Sequence, residues 1–101
     1  MSKSNVEEDL ISRCNKYENL TQKALKKSKI CVTKDSALYF IAKDFLDMAS
    51  RYLKDGQYYK KQGKYDIALA SFSYAHAWLD SSARLGIIDV KKDSKLFTLY
   101  K

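Results

Sequence analysis

The chain has no proline and only three glycines, Gly56, Gly63 and Gly86, in 101 residues. Helix breakers are therefore sparse, and helix is the default local structure. Cysteine is scarce as well. Cys14 and Cys31 fall on one predicted helix, where 17 positions separate them by about 25 Å at 1.5 Å per residue. That distance excludes a disulfide between them. Two isolated cysteines and the lone His76 show no ligand-pair spacing of the kind structural zinc sites use, so no metal and no cofactor are expected. Phosphate-binding glycine loops and nucleophile motifs are missing too, and no enzymatic activity is expected. No apolar run approaches the ~20 residues a bilayer-crossing helix needs, and the opening MSKSNVEEDL lacks the apolar segment of a secretory signal. A cytoplasmic protein without membrane contact is the expectation.

What remains is ordinary globular material. Hydrophobic residues make up 46% and charged residues 31%, and a domain of this length buries roughly two-thirds of the surface its unfolded chain exposes. Ser4-Asn5-Val6-Glu7 has the spacing of a capping box, followed by acids suited to a helix start. Leu10, Cys14, Tyr17, Leu20, Ala24 and Cys31 then form a stripe, which predicts a helix over about 5–31. A polar break ends in Asp35 and Ser36, either of which can cap a second helix over about 36–62. Its stripe is Leu38, Ile41, Phe45, Met48, Tyr52 and Tyr59, with Ala49 and Gly56 on the same side. A third helix over about 65–85 carries Tyr65, Ala68, Phe72, Ala75, Leu79 and Ala83. Gly63 and Gly86 suit the left-handed position just past a helix end. Short links force consecutive helices to run antiparallel, so the expected fold is all-α, an up-down-up three-helix bundle over 1–86. Residues 87–101 form an apolar and basic tail, IIDVKKDSKLFTLYK, whose Leu96, Phe97, Leu99 and Tyr100 are expected to pack back on the bundle or against a partner.

Tyr52, Gly56, Tyr59, Gly63, Tyr65, Ala68, Phe72 and Ala75 reproduce the spacing of a tetratricopeptide helical hairpin. One such unit cannot build a solenoid, which needs about three stacked repeats. Over about 44–87 the chain resembles the archaeal family called domain of unknown function 357. The elements that carry the resemblance are a Tyr-rich helix, a glycine break, then Tyr74-Ala75-His76, Leu79-Asp80 and Arg84-Leu85-Gly86. Ala77-Trp78, Ser81-Ser82 and Lys64 depart from that pattern. The resemblance implies a three-helix bundle and no assigned activity. The hairpin also resembles HEPN ribonuclease domains, but those place an Arg four to six residues before a His, where this chain has Ala70, Ser71 and Phe72.

Three groups of residues are candidates for function. The first is a polar ladder: Lys43, Asp47, Arg51 and Asp55 alternate in sign on helix two, and His76, Asp80 and Arg84 follow on helix three. A hairpin folded about residues 63 and 64 sets Arg51 near His76 and Asp47 near Asp80, as a salt-bridge seam or, less favoured, a site with His76 as base and Asp80 orienting it. The second is aromatic. Tyr74 and Trp78 lie off the main stripe, either buried against helix one or exposed for a partner, and Tyr58 poses the same choice. The third is basic: the net charge is +7, and its densest run is Lys23, Lys26, Lys27, Lys29 and Lys34. These cations form a solvated helix face or, as the runner-up, a nucleic-acid surface. The favoured function is a protein-interaction or scaffold module with an unidentified protein partner or a second copy of itself. An RNA- or DNA-binding accessory protein comes next, and a small enzyme using His76 and Asp80 third.

Overall fold

The computed structural model describes residues 5–90 together with Asp93 and Phe97; Ser4, the expected cap of the first helix, and Leu96, Leu99 and Tyr100 of the tail lie outside them. Three helices dominate: α1 over Asn5–Lys27, α2 over Ala37–Lys61 and α3 over Tyr65–Leu85. Two short strands, β1 (Lys29–Ile30) and β2 (Ile88–Asp89), pair antiparallel with Ile30 opposite Ile88. The all-α bundle is the observed fold, and up-down-up packing follows from the contacts below. No helix of the described residues is long and apolar enough to cross a membrane.

The turns form where their chemistry predicts. Ser36 caps α2, its Oγ accepting from the Leu38 N–H at 3.1 Å. At the other end Gly63 has φ +76°, its N–H bonds to the Lys60 carbonyl, and the Lys64 N–H reaches the Tyr59 carbonyl at 2.9 Å. This pair of bonds is a Schellman closure, which needs a left-handed residue that glycine supplies without steric cost. Gly86, at φ +75°, closes α3 in the same way, with the Ile87 N–H on the Ser82 carbonyl.

The first helix is shorter than its stripe suggests. It stops at Lys27 and not near residue 31, because the residues after Ser28 pair with another part of the chain. Ile30, Val32 and Thr33 are β-branched and favour extended backbone. β2 captures that preference, and the Cys31 N–H adds a bond to the Ile87 carbonyl at 3.2 Å. Cys31 is consequently exposed at the exit of α3, its thiol on the Gly86 carbonyl, while Cys14 is buried beside Tyr65 at the start of α3. The two thiols sit at opposite ends of a helix about 31 Å long at 1.5 Å per residue.

α3 is the element both others pack against, and its predicted stripe is the core: Ala68, Phe72, Ala75 and Leu79 are all fully buried. On α2 the buried line is Ala42, Ala49, Leu53 and Gly56, spaced as a heptad seam. Leu38 and Ile41, expected inside, are 47% and 40% exposed. The buried line of α2 is made mostly of small residues, so its axis approaches α3 closely and the larger Phe45, Met48, Tyr52 and Tyr59 lean over the edges, half-buried. At Gly56 the approach is closest: an added Cβ would stand 2.5 Å from Cδ1 of Phe72. The ring occupies the space a side chain would need.

α1 runs parallel to α3, with Cys14 at Tyr65 and Thr21 at Phe72. It runs antiparallel to α2, where Glu18 meets Lys60. Since Cys14 is level with the start of α3, residues 5–13 extend past the hairpin, and the body measures 57 × 27 × 15 Å. Beyond Gly86 the core continues. Ile87, Ile88, Val90 and Phe97 are buried, Phe97 and Val90 among Ala24, Ala49 and Leu79, and Lys27 holds Asp93 at 2.7 Å. The described part of the tail thus packs back on the bundle.

Candidate functional site

The structure separates the polar ladder into two halves. Arg51 pairs with Asp47 at 2.8 Å along the outer face of α2, both side chains more than half exposed. His76 faces the other way, toward α1. Its Nδ1 lies 3.5 Å from the Thr21 hydroxyl, its Nε2 3.7 Å from Asp80, and its ring is tilted over Phe97 at 6.4 Å. The expected meeting of Arg51 with His76 and Asp47 with Asp80 fails because the two groups project from opposite sides of the hairpin. Arg84, an exposed residue in the last turn of α3, is engaged in contacts of its own.

Thr21, His76 and Asp80 fall in the order hydroxyl, imidazole, carboxylate. That order matches a nucleophile, a base and its orienting acid. Here Thr21 is fully buried, and its hydroxyl also stands 3.5 Å from the Phe72 carbonyl. The arrangement satisfies a buried hydroxyl between α1 and α3 and does not present one to a substrate. Sequence reading passed over Thr21 because threonine interrupts an apolar stripe, although 14, 21 and 24 keep helical spacing. Cys14 is enclosed nearby, donating to the Tyr65 carbonyl at 3.2 Å. Burial pushes its thiol above its ordinary value of 9.0, opposed by the nearby Lys60 ammonium and reinforced by Glu18. A thiol held neutral in this way is inert. Among the described residues no group of three His, Cys, Asp or Glu side chains is placed to hold a metal ion.

The aromatic candidates gather on the α2–α3 seam, not against α1. Trp78 is half-buried, edge-on to Phe45 with ring centres 4.9 Å apart. Tyr74 is 60% exposed and leans on Tyr52 at 5.5 Å. Tyr52, Tyr74, Ala77, Trp78 and Ser81 line a shallow recess of about 350 Å³. Tyr58 lies apart, 59% exposed against its neighbour Tyr59. The recess belongs to a longer feature that the sequence carried unread. Ile67, Ala70, Tyr74, Ala77, Ser81 and Leu85 recur at three- and four-residue steps, all exposed and all uncharged.

A family model described as protein of unknown function (DUF357) matches residues 16–88. The chain belongs to the DUF357 family. The match takes in the whole α2–α3 hairpin, both glycine closures and α1 from Lys16 onward, more than the residues that first carried the resemblance. The start of α1 that extends past the hairpin falls outside it. No curated protein and no solved structure matches the chain significantly.

Within this DUF357 body the five lysines disperse. Lys27 is half-buried and paired with Asp93, Lys29 belongs to β1, and Lys34 lies in the link before α2. Only Lys23 and Lys26 remain together on α1, facing a recess of about 560 Å³ along the α1–α2 seam.

Proposed function

We propose that this DUF357 chain is a protein-interaction module that self-associates through the uncharged face of α3. The observation behind the reading is the stripe Ile67, Ala70, Tyr74, Ala77, Ser81 and Leu85, flanked by half-buried Tyr52 and Trp78. Tyr74 and Leu85 are 60% and 63% exposed, costly for a surface that meets only water. Large residues are separated by small ones along it, Ala70 between Ile67 and Tyr74, Ala77 and Ser81 between Tyr74 and Leu85. Two copies of such a helix, laid antiparallel about a two-fold axis, set the large side chains of each over the small ones of the other. Of the charged groups of α3, Asp80 stands off this stripe, while Asp66 and Arg84 fall along its margin at the two ends of the helix. In this reading the chain acts by binding and not by catalysis.

Sedimentation across a concentration series tests it. The native chain is expected to dimerise, and Tyr74→Glu to stay monomeric with an unchanged thermal melt. A native chain that remains monomeric up to millimolar concentration would overturn the reading.

A further inference from the structure

A second surface lies on the opposite edge of α2, with the reverse chemistry. Along the seam where α1 passes antiparallel to α2, two recesses follow one another. The larger has Leu25 and Leu53 as its floor and Asn19, Gln22, Lys23 and Lys26 as its rim. The smaller, of about 370 Å³, is bordered by Gln57, Lys60 and Lys61, with Glu18 and Tyr65. Glu18 neutralises Lys60 at 2.6 Å. Lys23, Lys26 and Lys61 are exposed and carry no ion pair among the described residues. Three uncompensated cations and three side-chain amides therefore share one edge of the bundle.

We infer that the α1–α2 seam binds the sugar-phosphate backbone of double-stranded RNA. The Glu18–Lys60 contact fixes the register, so Lys61 is nearly level with Glu18. The three cations then span roughly 13 Å along α1 at 1.5 Å per residue. Over that length one strand of a duplex presents several phosphates, enough for each of the three cations to meet one. Ammonium groups meet the phosphates, and the amides of Asn19, Gln22 and Gln57 supply both donors and acceptors, the pairing a 2′-hydroxyl requires. No aromatic side chain lines the larger recess, so the stacking platform that single strands use is missing there. A membrane surface would call for exposed apolar side chains beside the cations, and the exposed large apolar side chains of α1 and α2, Val6, Tyr17, Leu38, Phe40, Ile41 and Tyr58, line neither recess.

The contacts are to backbone alone, so binding is weak, indifferent to sequence and steeply salt-dependent. Three phosphate contacts correspond to a log–log salt slope of about −2.7, a loss of roughly 40-fold between 50 and 200 mM salt. The test is fluorescence anisotropy of the full chain with a mixed-sequence 20-base-pair RNA duplex, beside the DNA duplex and the single strands of the same sequence, a polyglutamate peptide and anionic vesicles. Two triple variants with equal charge change are compared after their melts are shown to match the native chain. Lys23→Glu/Lys26→Glu/Lys61→Glu is expected to abolish duplex RNA binding, and Lys29→Glu/Lys34→Glu/Lys64→Glu to retain most of it. Equal loss in both variants would assign the effect to net charge and overturn the site. So would absence of binding at 50 mM salt, or affinity for DNA duplex, single strands, peptide or vesicles equal to that for duplex RNA.

Discussion

The two long seams of the bundle are built on different principles. Between α2 and α3 the contact is apolar and interlocked: the Phe72 ring fills the place of a side chain at Gly56, Tyr52 meets Tyr74, and Phe45 meets Trp78. Between α1 and the hairpin the contact is lighter. It rests on Cys14, Thr21 and Ala24, with the Glu18–Lys60 pair at its margin, while Lys27 pairs with Asp93 of the tail. Small buried side chains and partly exposed ions contribute less than interlocking rings, because ion pairs near water gain little Coulomb energy while ring burial scales with apolar area. The hairpin is therefore the stable unit, and α1 is the element whose attachment is most easily altered.

The largest effect should come from removing the interlock. Phe72→Ala takes a fully buried ring from the centre of the α2–α3 seam and should cost about 3–5 kcal/mol by urea denaturation. If the loss is under about 2 kcal/mol, the two seams are closer in strength than their packing indicates. Gly56→Ala probes the same contact from the other helix. Alanine gains about 1 kcal/mol of helix propensity, but its methyl would stand 2.5 Å from Phe72 Cδ1, and overpacking costs about 1–3 kcal/mol. A net loss of about 1 kcal/mol is expected, relieved when Phe72→Leu is added. On the lighter seam Glu18→Gln removes a pair whose side chains are 17% and 32% exposed. It should cost about 1 kcal/mol or less, read in the same denaturation series.

The smallest effect appears only in alkali. Burial raises the Cys14 thiol above 9.0, so at higher pH the unfolded chain releases this proton before the folded one does. Its contribution is intact below pH 9.0 and is lost as pH rises toward the folded-state value. Cys14→Ala should remove that share of the alkaline decline. In the native chain iodoacetamide should modify exposed Cys31 well before Cys14.

These contrasts mark where sequence patterns carry information. Signals with a local physical cause were legible: Ser36 as a cap, Gly63 and Gly86 as left-handed closures, and the α3 stripe through Phe72 and Leu79. The hairpin register was legible too, since folding about residues 63 and 64 brings Gly56 to Phe72 and Tyr52 to Tyr74. Register does not fix rotation about the helix axis, however. His76 shares a level with Arg51 yet faces α1, and the ladder fails for that reason alone. On α2 the buried line is mostly alanine and glycine, which a search for large apolar residues underweights. That rotates the predicted face toward Leu38 and Ile41. The end of α1 was illegible because a distant partner decides it: nothing near residues 28–31 announces that Ile30 will pair with Ile88.

That pairing bears on the order in which the chain folds. Ile30 and Ile88 lie 58 positions apart, whereas the α2–α3 hairpin closes over a turn of three residues between Lys61 and Tyr65. Loop-closure entropy makes the distant contact unfavourable until the intervening helices have shortened the path between its ends. The β1–β2 pairing is then a late event, formed after the hairpin has carried Ile88 back to the exit of α1. Being two residues long on each side, it is also the first to reopen. In native-state hydrogen exchange the amides of β1 and β2 should turn over ahead of those in the middle of α3, so this end of the bundle unlatches while its centre stays closed.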